Sequence, residues 1–162
     1  MLKRETDLLE SVAESAKNGS IKIVINVETE FESWGIPNMD SESGRFYGAP
    51  ADMIESPINH GRVLMGADFD TATLQMNFLT GIEHPRFKEL IKLTGAYQGK
   101  HGYNKNQLLD AFHLWCAEGH GCDFFLTLDF KLIRIVNNNN KIGINTELVI
   151  PSELLSRLSA RA

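Results

Sequence analysis

Two aspartates hold the residues most suited to chemistry. Asp110 lies inside an apolar-striped helical segment but off the stripe, one helical turn before His113. Asp129 ends the apolar run CDFFLTLD at 122–129. In parallel α/β sheets ligands gather at the carboxyl ends of strands, so an acid there is well placed. The segment 104–118 leads directly into that run, which lets Asp110 and Asp129 meet at one sheet edge. Converging carboxylates repel one another unless a proton or cation intervenes, and hard oxygen donors suit Mg²⁺ or Mn²⁺. Each acid also has a plain structural explanation. Asp129 before FKLI can cap a helix by accepting amide hydrogen bonds, and Asp110 can be a solvated surface acid.

The elements that must position these residues follow from periodicity. Leu108, Phe112, Trp115 and Cys116 recur at helical spacing within 104–118, with Gly119 and Gly121 at its end. A strand over 122–129, a short helix over 130–136, a loop at 137–140, a last strand at 147–150 and a helix from Pro151 complete that half. Earlier, 5–17 reads as a helix through Leu8, Leu9, Val12 and Ala16, closed by Asn18-Gly19. The β-branched run at 21–26 predicts a buried strand, and 27–34 a short helix. From 35 to 61 turn formers crowd the chain, which predicts an irregular excursion. A brief strand at 62–65 and helices over 70–80 and 85–93 follow. Alternating helices and strands predict one α/β domain spanning 1–162 with a mostly parallel sheet.

The segment LLDAFHLWCAEGHGCDFFLTLDFKLI, followed after a gap by ELVIPSELL, resembles the second half of a PIN domain. Asp110, His113, Ala117, Phe125, Leu126, Thr127 and Asp129 match that family's helix D-A-x-H-x-x-x-A and strand F-L-T-x-D, and Pro151 to Leu155 match its closing helix. LLESVAESAKNGSIKIVINVETEFESWG resembles the early part less closely, with Glu32 standing at the family's glutamate. Glu28 and Glu30 compete for that role, and all three also suit an acidic, solvated helix start. The resemblance implies a three-layer α/β/α sandwich. It further implies a divalent-metal-dependent ribonuclease in which Asp110, Asp129 and Glu32 hold Mg²⁺ or Mn²⁺ and Thr127 stands beside them. The family's opening strand and its Asp have no counterpart, so the domain reads as truncated at its N-terminus. Asp7 lies inside the first helix and cannot supply that acid; the run 61–70 is the visible substitute.

Two other readings stay open. One is a non-catalytic binding or structural protein on the same fold. The other is a metal-dependent phosphatase centred on Asp68 and Asp70. Relatives of the resembled family often act as toxins held by an antitoxin, which makes a protein partner an expectation alongside RNA; self-association is left open. The formal charge of −5 gives no general attraction for phosphate backbones. Lys100, His101 and Lys105, with Lys131 and Arg134, form basic positions that can flank a phosphate-bearing substrate or simply face solvent. No glycine-rich phosphate loop points to a nucleotide cofactor. Cys116 and Cys122 are too few for a disulfide framework and read as core residues. No apolar run suits a leader or a membrane span, so a cytoplasmic location is expected.

Overall fold

A computed structural model describes residues 2–33, 45–58, 70–139 and 142–161. The chain is a mixed α/β structure in which helices dominate and the sheets are small. It opens with helices α1 (Leu2–Asp7) and α2 (Leu9–Lys17), where the periodicity predicts one; the break falls at Leu8. Strand β1 (Ile23–Asn26) runs straight into α3 (Val27–Ser33).

The segment 45–54 departs from the irregular reading. It forms a hairpin of β2 (Arg45–Phe46) and β3 (Ala49–Ile54). Tyr47 and Gly48 both adopt positive φ, 49° and 76°, the conformation that two-residue hairpin turns require. Pro50, read as a breaker, is tolerated because β1 pairs with β3 only from Ala51 onward. Its absent N–H therefore costs the parallel ladder nothing. The predicted strand at 62–65, and Asp68, lie outside the described residues.

Helix α4 (Thr71–Thr80) is capped by Asp70, whose carboxylate accepts the Ala72 and Thr73 amides. Helix α5 (Pro85–Leu93) begins with proline at its first turn. Helix α6 (Lys105–His120) is capped by the Asn104 side chain and ends at Gly121 with φ 73°. Strand β4 (Phe124–Leu126) is shorter than the apolar run 122–129 suggests, because Asp129 is already the cap of α7 (Phe130–Asn138). Strand β5 (Glu147–Val149) and α8 (Pro151–Arg161) close the chain.

The strands form two separate groups among the described residues. One has the order β1-β3-β2, with β1 and β3 parallel and β2 antiparallel to β3; the other is the parallel pair β4-β5. Strand alternation sends their side chains to two apolar clusters. Val24, Ile54, Phe125 and Leu148 join the larger one, built on α4 to α7 around Phe87, Phe112 and Trp115. Phe46, Phe124, Leu126 and Val149 join the smaller one, with Val12 of α2 and Leu154 of α8. Phe87 stacks on Trp115 with ring centroids 5.3 Å apart, and Phe112 meets Phe87 edge-on.

Candidate functional site

The site is built where β1, α3, α6 and the β4–α7 junction approach one another. Asn26, the last residue of β1, is buried and caps α3: its Oδ1 accepts the amides of Glu28 (3.0 Å) and Thr29 (3.3 Å). With Oδ1 turned to these amides, Nδ2 faces His113 of α6 and donates to Nδ1 at 3.0 Å. The uncharged ring must then carry its proton on Nε2, which donates to Glu32 Oε2 at 2.9 Å. This chain of bonds links β1, α6 and α3, and it locates Glu32 beside α6. Glu28 is fully buried and accepts from Gln75 Nε2 of α4 at 2.8 Å. Its charge is also felt by Cys116. Helix α3 therefore runs alongside α6 in the opposite sense, Glu28 near Cys116 and Glu32 at His113.

Asp110 lies one turn before His113, on the same face of α6, and is half-buried. Burial, the largest influence, raises its carboxyl from 3.8 to about 6. A second proton on the His113 ring would oppose that rise, and the negative charges of Asp129 and Glu32 add to it. Acids from three separate elements thus sense one another at Asp110. Asp129 is exposed, and its Oδ1 accepts the amides of Lys131 (2.8 Å) and Leu132 (2.9 Å), so it does serve as a helix cap. Thr127 stands beside it and accepts the Asp129 amide through Oγ1 at 3.0 Å.

The structure therefore brings Asp110, Glu32, Asp129 and Thr127 into one region. It does not close them around a point: among the described residues, no three His, Cys, Asp or Glu side chains stand close enough to share a metal ion. The two observations are compatible, because charges are felt beyond ligand distance. Asp70 is committed to capping α4, where Thr73 chiefly holds its carboxyl below the usual range. Lys131 and Arg134 are exposed on α7 beyond Asp129. Cys116 is buried, which pushes its thiol up to about 12, as befits a core cysteine. A cleft of about 380 Å³ lies at the opposite ends of β4 and β5, around Asp123, Thr146 and Glu147. It contains none of the predicted site residues.

Sequence reasoning passed over three residues. Asn26 was findable: an amide ending an apolar strand just before a helix is a capping signal. Gln75 and Arg86 were not, since their partners lie far away in the chain. Arg86 grips Glu118 through Nε (2.9 Å) and Nη2 (2.6 Å) and donates to the Gly143 carbonyl, while Glu118 accepts the Asn145 amide. This clasp ties α5 and α6 to the approach to β5. No protein-family model, no curated protein and no solved structure matches the chain. Among the described residues, no helix is long and apolar enough to cross a membrane.

Proposed function

We propose that the chain is a PIN-like domain of the nuclease type, acting on RNA phosphodiesters through a divalent cation held by Asp110, Asp129 and Glu32. The observation that carries this reading is the approach of three elements: His113 of α6 holds Glu32 of α3 one turn from Asp110, whose carboxyl is raised to about 6 chiefly by burial and further by Asp129 and Glu32. Carboxylates that repel one another are relieved by a cation. The two apolar clusters on opposite sides of the strands support the three-layer α/β/α arrangement.

The donor chemistry suits Mg²⁺ or Mn²⁺, since all three side chains offer hard oxygen. Bound there, such an ion would orient water and stabilise charge on the phosphoryl group. The protein residues have their own tasks. Asn26 and His113 hold Glu32 toward α6, Thr127 and the α7 amides orient Asp129, and Asp110 supplies the carboxylate with the greatest need of a cation.

A second reading is favoured by a specific observation. Glu32 already accepts from His113, Asp129 already caps α7, and the described residues form no three-donor group. On that reading the fold is retained for binding, with RNA or a protein as the partner. Incubation of the purified chain with end-labelled single-stranded RNA and Mn²⁺ separates the two. The nuclease reading expects cleavage that EDTA stops and Asp110→Asn abolishes. Intact RNA at saturating Mn²⁺ decides for the binding protein.

A further inference from the structure

The turn before α6 presents an aromatic pair that the carboxylate site does not use. Tyr97 and Tyr103 are 59% and 39% exposed, unusual for rings of this size, and their centroids lie 5.5 Å apart. Their backbones form an antiparallel bridge, reinforced by Gln98 N–H donating to the Gly102 carbonyl at 2.8 Å and Asn104 N–H to the Ala96 carbonyl at 2.8 Å. Gly99 and Gly102 take φ of 61° and 76° at the tip, conformations that other residues resist. The base is anchored by Leu93 and Ala96, both fully buried. The rings are thus held on a closed, short hairpin, which removes much of the ordering cost of binding.

The surrounding charge selects the partner. From Thr94 to Leu109 there is no aspartate or glutamate, although the chain as a whole carries −5. Lys100 and His101 are exposed at the tip, and Lys105 follows at the start of α6. Lys105 is near enough to Asp70 to act on its carboxyl, after the larger effect of Thr73, so one cation there is partly offset. Gln98 and Asn106 add exposed amides able to meet base edges. Exposed aromatic faces flanked by cations, on a segment that itself carries no acid, suit unpaired bases and their phosphates.

We propose that the hairpin Tyr97–Tyr103 is a stacking platform for unpaired bases of a single-stranded nucleic acid, with Lys100, His101 and Lys105 meeting its phosphates. Asn106 and Asp110 stand four positions apart on one face of α6, so a strand leaving the platform continues along that face. Asp110 lies about 7.5 Å beyond the start of the helix, a reach of one or two nucleotides. The surface stands apart from the carboxylates and binds with or without cleavage.

The test is fluorescence anisotropy of the whole chain with a labelled twelve-nucleotide oligouridine in low salt and EDTA. Tyr97→Ala/Tyr103→Ala is expected to weaken binding at least tenfold, whereas Tyr97→Phe/Tyr103→Phe stays within twofold of the wild type. Lys100→Gln is expected to flatten the salt dependence by slightly less than one in slope. Both rings are exposed, so circular dichroism should show each variant folded. Affinity unchanged in the double alanine variant, no binding by the wild type, or equal binding of a duplex would overturn the platform. Tyrosine-dependent binding without cleavage in Mn²⁺ retains the platform and removes the nuclease; cleavage with tyrosine-independent binding does the reverse.

Discussion

Replacing Asp110 by Asn should stabilise the metal-free protein, and by an amount that depends on pH. The folded carboxyl keeps its proton up to about 6, against an ordinary value of 3.8, mainly because it is buried. Between those values the native state binds more protons than the unfolded chain, so stability falls as pH rises from about 4 to 6 and stays lowered above. Each pH unit is worth about 1.4 kcal/mol, which puts the ceiling at about 3 kcal/mol. The group is only partly buried, and solvent screening reduces the expected gain to about 1–2 kcal/mol. Urea unfolding of wild type and Asp110→Asn at pH 8 and at pH 3.5 measures it. The variant should be more stable at pH 8, with the gap closing at pH 3.5, where both side chains are uncharged. Carboxyls remote from Asp110 titrate alike in both proteins and cancel. A gap absent at pH 8, or equal at both pH values, refutes the argument that a charged Asp110 is costly in this setting.

Other side chains give separate expectations. Asp129→Ala should cost about 1 kcal/mol in thermal or urea unfolding through loss of the α7 cap, and Asp129→Asn only a few tenths; equal losses would show that capping is not its structural role. Asn26→Ala should cost about 1–2 kcal/mol, since it frees two amides of α3 and the His113 ring together. An unchanged urea midpoint would contradict that. Glu118→Gln should cost about 2 kcal/mol, because Arg86 loses the more buried of its two carboxylate partners while Glu89 keeps the other. Pairing Arg86→Met with Glu118→Leu should recover most of the loss, and failure to recover would show that the charge pair itself is needed.

Much of the helical framework was legible because its signals are local. Pro85, Asn104, Gly121, Asp129 and Pro151 each mark a helix end by what their own backbone or side chain does there. The apolar spacing of α6 was equally plain, and Leu108, Phe112, Trp115 and Cys116 are all buried. The hairpin at 45–54 was hidden because its turn relies on a positive φ at Tyr47, a residue that seldom adopts it. The strand limits at 122–129 were blurred because an apolar run continues past Leu126 after strand pairing has ended. Within the site, the sequence could nominate Asp110, Asp129 and Glu32 singly. That His113 bridges Asn26 and Glu32 depends on contacts spanning more than 80 residues, which no spacing rule records. Asp129 illustrates the ambiguity of acids at strand ends: the cap and the cation reading require the same residue in the same place.

The central claim is that Asp110, Asp129 and Glu32 can share a divalent cation. An anomalous-scattering map from a crystal soaked in Mn²⁺ tests it most directly. The account predicts a peak within about 2–2.5 Å of carboxylate oxygens of Asp110 or Asp129, and none in Asp110→Asn. Ordered, solvent-accessible carboxylates with no peak at saturating Mn²⁺ would contradict it.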